Sequence, residues 1–185
     1  SLLEVRRNAK LRLLNIGSVI QFGIGESMFQ LTPAFIAILW PPWGIGIARM
    51  LNHTFGWLSF WYAGKLIRRY TALRCLFAAN ITIGVIGLIA FGFPSISSPL
   101  LLASGSLFYG LFTVSQNSLL QKEFTEKQRA TMGSINSLFG SLFFGVCAIF
   151  LGFLADRFTV QVALLVAEIG MLSVLPVYWR LFRHE

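Results

Sequence analysis

Charged residues, cysteine and histidine are all scarce in this chain of 185 residues, and each shortage excludes a class of protein. Only 12% of the residues are charged, whereas soluble domains carry about 25%, so a water-covered globular fold is not expected. The two cysteines, Cys75 and Cys147, both fall inside apolar runs and cannot form a disulfide framework or a metal-binding spacing. Metal and phosphate-loop motifs are also absent, so no cofactor is predicted.

Apolar and aromatic residues dominate instead. The chain is 56% hydrophobic, contains 18 phenylalanines and five tryptophans, and has a mean hydropathy of +0.72. Aromatic residues suit bilayer cores and interfaces, so the main partner of this chain is predicted to be the lipid bilayer. The net charge of +8 would suggest nucleic acid in a soluble protein. In a membrane protein the position of the charges matters more, and no nucleic-acid partner is expected.

Six segments are long and apolar enough to cross a membrane, which takes about 20 mostly apolar residues. Polar or proline-containing breaks separate them, and proline ends helices because it lacks an amide donor. The predicted fold is therefore an all-α membrane protein with six transmembrane helices, at approximately Leu11–Leu39, Trp43–Ile67, Leu73–Phe93, Pro99–Leu120, Ala130–Leu154 and Thr159–Trp179. The first segment has no cleavage-site pattern, and the chain reads as a piece of something longer.

Basic residues mark one side of this six-helix arrangement. Thirteen of the 15 lie at the two termini and in the second-to-third and fourth-to-fifth connections, whereas the other side carries only Arg157, beside Asp156. Positive charge accumulates on the cytoplasmic side, so we predict a multi-pass protein of a bacterial plasma membrane with both termini cytoplasmic. The chain divides into a basic leader (1–10), two three-helix repeats (11–93 and 94–179) and a tail (180–185).

A charged turn occurs twice in the chain, 88 positions apart. The copies "GKLIRRYT" at 64–71 and "GFLADRFT" at 152–159 share a glycine, a leucine, an arginine and a threonine. Each copy joins the second helix of a three-helix unit to the third, and because three helices separate the copies, they are predicted to face opposite sides of the membrane. Inverted repeats of this kind are typical of many transporters.

The copy at 152–159 resembles the turn motif of major facilitator superfamily transporters, glycine-x-leucine-x-aspartate-arginine-x-glycine. Gly152, Asp156 and Arg157 fit that motif, and Thr159 replaces the last glycine. The segment "KQRATMGSINS" at 127–137 also looks like the polar loop that leads into a late helix of this superfamily.

The copy at 64–71 fits the motif less well. It keeps Gly64 and Arg69, but Arg68 stands where the family has aspartate, so gating at this turn is predicted to depart from the family's charge-paired gate. In topology the resemblance covers nearly the whole chain and implies one six-helix half of a twelve-helix secondary transporter. The fourth span lacks the charge usual in the N-terminal half, so this would be the C-terminal half. The implied partners are the missing N-terminal half and a small solute, either a drug-like compound or a metabolite, moved by alternating access.

Ionisable residues inside membrane spans cost about 2.5–3.5 kcal/mol each and mark candidate functional positions. Glu26 lies near the middle of the first span and shares a polar face with Gln30. A glutamate there could carry a proton, hold a cationic substrate or bond to a neighbouring helix. In the second span Arg49, Asn52 and His53 share a face. Arg49 could bind substrate, pair with Glu26 or snorkel to the surface, and His53 could titrate or bond between helices.

The fourth span places Tyr109, Thr113, Gln116 and Asn117 on one side. This mixture suits a cavity wall for a polar solute, and equally a packing face between membrane helices. Protons are a further candidate partner, through Glu26 or a Glu26–Arg49 pair. The predicted cavity-lining residues are Glu26, Gln30, Asn52, His53, Tyr109, Thr113 and Asn117, and the predicted gating residues are Gly64, Arg68, Arg69, Gly152, Asp156 and Arg157.

Two other classes of membrane protein compete with a transporter. A non-transport subunit or assembly protein would use the six helices only for packing, so its polar faces would not need to converge. An intramembrane protease is suggested by "LASGS" at 102–106, which is similar to the serine loop of rhomboid proteases. Neither His53 nor His184 lies in the late span expected to carry the histidine partner. We therefore favour a transporter and expect no enzymatic activity.

Overall fold

We describe the protein from a computed structural model, which places the backbone of residues 9–123 and 126–181 and the side chains of residues 10–122 and 133–181. Most of the predicted leader (1–10), the end of the predicted tail (180–185) and the side chains of the family-like loop up to residue 132 therefore lie outside the described residues.

Helices make up nearly all of the described chain, and they form six rods. A 3-10 turn at Ser106–Phe108 joins two helices into the fourth rod, and a two-residue turn at 173–174 joins two into the sixth. Pro42 and Pro99 each lie in the first turn of a helix, where a missing amide donor costs nothing. The helices are α1 (Ala9–Leu39), α2 (Pro42–Tyr70), α3 (Ala72–Gly92), α4 (Ser98–Gly105), α5 (Tyr109–Glu123), α6 (Glu126–Arg157), α7 (Val160–Leu172) and α8 (Leu175–Leu181).

Five of the six rods in the described part of the chain are long and apolar enough to cross a bilayer. The exception is α2, which has 29 residues but carries Arg49, Asn52 and His53 in its first half and three basic residues near its end. The prediction of an all-helical fold is confirmed, and the length and composition of these five helices fit an integral membrane protein.

The rods alternate in direction, so their connections collect at two ends of the bundle. At the end that carries Arg68 and Arg69, here called the basic end, α1, α3, α5 and α8 share a buried cluster that includes Leu14, Leu73, Leu119 and Tyr178. At the opposite, distal end, α1, α3 and α7 share a second cluster, formed by Phe35, Phe91 and Leu164. The turn at 64–71 therefore lies at the basic end and the turn at 152–159 at the distal end.

A small set of interfaces holds the rods together. The first rod, α1, packs on α6 and on α7–α8, whereas the fourth rod, α4–α5, packs on α2 and on α3. The third and sixth rods, α3 and α7–α8, also pack on each other. The interior of the bundle thus lies around α3, α7 and the inner sides of α1 and α5, and one face each of α1, α2 and α5 remains open.

The two similar turns have different backbones. Thr71 has φ 74° and ψ 151°, and among the described non-glycine residues it alone has a positive φ. At the equivalent position Thr159 is extended, with φ −152°, and its hydroxyl accepts a hydrogen bond from the Val162 amide at 3.1 Å, which caps α7. A β-branched residue at positive φ is strained, so Thr71 occupies a position that favours glycine.

Replacing Thr71 with glycine is expected to stabilise the protein by about 1 kcal/mol, because the relief of backbone strain exceeds the entropy that glycine adds to the unfolded chain. The matched change Thr159→Gly removes a cap without relieving strain, and we expect it to lower stability by up to about 1 kcal/mol. Thermal unfolding midpoints of the two variants in detergent check this prediction. Midpoints that shift in the same direction would contradict it.

Candidate functional site

The predicted polar residues of α1 lie on the open face of the bundle. Glu26 is half-buried and Gln30 is exposed, and the Gln30 Nε2 donates to the Glu26 Oε1 at 3.1 Å. Their spacing of one helical turn makes this bond possible. Glu26 therefore has a partner on its own helix, and among the described residues no ion pair joins it to Arg49.

Arg49 and His53 meet α1 at the same aromatic ring. The Arg49 Cζ stands 5.1 Å from the centroid of the Phe29 ring, and the His53 ring packs edge-on against Phe29 at 6.5 Å between centroids. A guanidinium over an aromatic face at this distance is a cation–π contact. The two basic residues of α2 thus share Phe29 as their contact on α1.

The depth of Phe29 fixes the depth of this cluster. Six residues further along α1, Phe35 packs on Phe91 at 5.2 Å between ring centroids, and Phe91 lies one residue before the distal end of α3. Because a helix rises 1.5 Å per residue, Phe29 lies about 9 Å below that end. The 21 residues of α3 span about 31 Å, close to the thickness of a hydrocarbon core. The guanidinium that rests on Phe29 therefore lies at the level of this ring, about 9 Å from the distal end of α3.

A gap lies on the same face of α2, between His53 and Phe60. Gly56 is buried, yet a Cβ atom added to it would meet no neighbouring atom within 4 Å. On the basic-end side of the gap, the exposed rings of Phe60 and Tyr109 pack edge to face at 6.1 Å between centroids. Asn52 is half-buried beside His53. From the distal end toward the basic end, the face therefore carries the Arg49 cation, then the space beside Gly56 that no neighbouring side chain fills, here called the slot, and then an aromatic pair.

Thr113 and Asn117 continue this face along α5 toward the basic end. Thr113 is half-buried and Asn117 is exposed. Asn117 also lines a shallow groove of about 420 Å³ on α5, together with Val114, Ser118, Gln121 and Lys122. The predicted residues thus divide into an α1–α2 group around Phe29 and an α5 group below Tyr109, with Phe60 linking the two.

The helix break in the fourth rod is held by side chains of α2. The Ser59 Oγ accepts hydrogen bonds from the backbone amides of Gly110, at 2.7 Å, and Leu111, at 3.2 Å. The Tyr62 hydroxyl donates to the Leu107 carbonyl oxygen inside the 3-10 turn. A 3-10 turn leaves helical donors and acceptors without their usual partners, and here hydroxyl groups of the neighbouring helix bond to them.

A buried hydrogen-bond network between α1, α5 and α8 was missed at the level of sequence. The Tyr178 hydroxyl donates to the Gln21 Oε1 at 2.5 Å, and the Gln116 Nε2 donates to that same oxygen at 2.9 Å and to the tyrosine oxygen at 2.8 Å. All three side chains are buried, so Gln116 leaves the polar face on which the sequence predicted it. The available signal was the presence of glutamines in apolar spans, where they usually bond between helices.

Glu168, the acidic residue of the sixth rod, is buried between α7 and α3. Its exposed fraction is 4%, and a Cβ atom added to Gly87 would lie 2.3 Å from the Glu168 Oε2. The carboxyl group thus fits against the backbone of α3, where only glycine leaves room for it. It lies at the α3–α7 interface and not on the open face.

The predicted gating residues do not join the open face. Gly64, Arg68 and Arg69 are exposed at the basic end, and the Arg69 Cζ stands 5.2 Å from the Tyr70 ring centroid. The other three residues lie at the distal end, with Gly152 half-buried and Asp156 and Arg157 exposed.

The described residues hold no group of three histidine, cysteine, aspartate or glutamate side chains that could ligate a metal ion. Comparison of the chain with protein-family models, curated proteins and solved structures gives no significant match.

Proposed function

We propose that this chain is one six-helix half of a secondary active transporter of the major facilitator type, and that it moves a small solute by alternating access. The observation that carries the proposal is the symmetry of the packing. In this symmetry the first, second and third rods (α1, α2 and α3) correspond to the fourth, fifth and sixth (α4–α5, α6 and α7–α8). When each rod is replaced by its counterpart, the α1–α6 interface becomes the α5–α2 interface. The same exchange converts α1–α7 into α5–α3 and leaves α3–α7 unchanged. This is the pattern expected of two three-helix repeats in inverted orientation.

The closest helix crossings follow the same exchange. A Cβ atom at Gly23 of α1 would lie 3.0 Å from the Phe144 amide nitrogen on α6, and one at Gly110 of α5 would lie 2.5 Å from the Phe60 amide nitrogen on α2. Gly110 follows Gly23 by 87 positions, close to the 88 that separate the two turns. Small residues allow such close approach of membrane helices, and the similar places of these two glycines support the proposed repeat.

Charge at the two turns supports an orientation for the proposed transporter. The turn at the basic end carries Arg68 and Arg69, whereas the distal turn carries Asp156 and Arg157. With the basic end in the cytoplasm, the α1–α2, α3–α4 and α6–α7 connections lie outside. Both termini are then cytoplasmic. The resemblance of the distal turn to the family motif supports the same family.

The open face would form half of the substrate pathway. Glu26, Arg49 and His53 are ionisable, and their side chains are half-buried or exposed on a face that is costly to hold in hydrocarbon. A second six-helix half that covers this face would place them around a shared aqueous cavity, with α3 and α7–α8 behind them as scaffold. Alternating access then follows from rocking the two halves about this cavity. Glu26 is the candidate for a proton site, because it is the acidic residue on this face.

Cysteine accessibility in the complete transporter tests this proposal. In a background with Cys75 and Cys147 replaced by alanine, we expect a membrane-impermeant maleimide to label Arg68→Cys only from the cytoplasm and Asp156→Cys only from outside. Small water-soluble thiol reagents are expected to modify His53→Cys and Asn117→Cys, because thiolate forms only where water is present.

The matched control is Ile149→Cys on α6, where the side chain is 78% exposed but apolar. Facing lipid, it is expected to remain unmodified. Labelling of both turns from the same side would contradict the inverted repeats. Protection of both His53→Cys and Asn117→Cys would favour a packing subunit over a transporter.

A further inference from the structure

We propose that the slot between Arg49 and Phe60 binds an aromatic organic anion, with the carboxylate at Arg49 and the ring beside Gly56. This inference deepens the proposed function, because it names the class of substrate for the same open face. It rests on three features of the described residues: the Arg49 guanidinium without a carboxylate partner, the walls and the depth.

The guanidinium of Arg49, which has no carboxylate partner in the described part of the chain, favours an anion. Within the described residues Arg49 has no carboxylate partner, and its contact is the Phe29 ring. The carboxylate of Glu26 is the other charge on this face, and it already accepts a hydrogen bond from Gln30. A guanidinium binds a carboxylate through two parallel hydrogen bonds, and it lacks such a partner here. His53, beside Arg49, adds a second donor and no negative charge.

The walls of the slot favour an aromatic body. Phe29 and His53 stand at its upper end, and the Phe60–Tyr109 pair closes its lower end. Gly56 leaves the space between them open. Aromatic rings pair edge to face or offset at centroid distances of about 4.5–7 Å, so a planar ring between these groups gains contact on both sides.

The depth of the cluster favours a free solute over a lipid headgroup. The Phe29 ring under Arg49 lies about 9 Å below the distal end of α3. Lipid headgroups lie outside the hydrocarbon region, so a lipid phosphate would have to sink by that distance to reach the guanidinium. A small anion in a water-filled cavity reaches it without this cost.

Three naphthalene compounds that differ in charge provide the test. We would measure binding of 2-naphthoate, 2-naphthylmethylamine and 2-naphthylmethanol to the purified protein in phosphatidylcholine nanodiscs, by calorimetry and by the shift in unfolding temperature. The naphthoate is expected to bind at least tenfold more tightly than the amine or the alcohol. Arg49→Gln is expected to remove this preference, and Arg49→Lys to restore part of it.

Matched variants separate the slot from the rest of the protein. Gly56→Leu fills the open space and is expected to abolish binding of all three compounds, whereas the smaller Gly56→Ala weakens it less. Lys65→Gln removes an exposed cation near the other end of the same helix and is expected to leave naphthoate binding unchanged. If Arg49→Gln fails to fold, the proposal is still tested by the charge preference of the unmodified protein and by the two Gly56 variants.

Equal affinity for naphthoate and naphthylmethylamine would overturn the proposal, and so would unchanged naphthoate binding in Arg49→Gln. Nanodiscs with added phosphatidylglycerol distinguish the source of the anion. Arg49-dependent stabilisation by that lipid, without naphthoate binding in phosphatidylcholine, would assign the site to a lipid headgroup. Binding can be measured without transport. If naphthoate does not bind but the cysteine variants are labelled as expected, the proposed substrate class is rejected and the proposed transporter is retained.

Discussion

Replacing Gly110 with alanine is expected to lower the free energy of unfolding by about 2–4 kcal/mol. The added Cβ would lie 2.5 Å from the Phe60 nitrogen and 2.7 Å from the Ser59 carbonyl carbon. Both atoms belong to the backbone of α2, so a side-chain rotation cannot remove the clash. The helices must move apart, and overpacking of this kind costs about 1–3 kcal/mol. Separation also weakens the bonds from the Gly110 and Leu111 amides to Ser59, each worth about 0.5–1.5 kcal/mol.

Gly145 on α6 provides the control for this change. It is half-buried in a helix, and a Cβ atom added to it meets nothing within 4 Å. Gly145→Ala is therefore expected to leave stability unchanged or to raise it by up to about 1 kcal/mol, since alanine is the better helix former. Denaturant unfolding of both variants in detergent micelles measures the difference. If Gly110→Ala unfolds at the same denaturant concentration as Gly145→Ala, the close crossing of α2 and α5 is wrong.

Removing the hydroxyl of Tyr178 is expected to destabilise the protein by about 1–3 kcal/mol, the range for a buried polar group that loses its partner. In Tyr178→Phe, Gln116 and Gln21 each lose a bond to the phenol oxygen, while the ring still fills its space. Tyr178→Ala also opens a cavity in the basic-end cluster, and its cost is expected to rise to about 3–5 kcal/mol.

The exposed Tyr109 is the matched control for Tyr178. Its described contact is the edge-to-face pair with Phe60, which needs the ring and not the hydroxyl. Tyr109→Phe is therefore expected to change stability by less than about 0.5 kcal/mol. Thermal unfolding of the two phenylalanine variants side by side checks the comparison. Equal midpoints would show that the Gln21–Gln116–Tyr178 network contributes nothing.

Local sequence features were sufficient to predict the helices. Runs of apolar residues and their proline or charged breaks predicted six helical segments, and the described chain has helices at all six positions. The same features located the open faces of α1, α2 and α5, because polar side chains one turn apart share a face. Glu26 with Gln30 and Arg49 with His53 were found in this way.

Contacts between helices could not be predicted from one sequence. The bond between Gln21 and Tyr178 joins residues 157 positions apart, and helical periodicity carries no information about which helices meet. Gly110 and Gly87 raise the same difficulty, because a glycine in an apolar span looks alike whether it faces a helix backbone, a carboxyl group or open space. The lipid-like composition adds to this, since helices in a membrane lack the polar outer surface that marks orientation in soluble bundles.

The 3-10 turn in the fourth rod has a mechanical consequence. At this turn α4 continues into α5. The Ser59 hydroxyl accepts a hydrogen bond from the backbone amide of Gly110, and the Tyr62 hydroxyl donates one to the carbonyl oxygen of Leu107. Because Ser59 and Tyr62 hold the start of α5 and the 3-10 turn on α2, a displacement of α5 requires a matching displacement of α2 or the loss of these bonds.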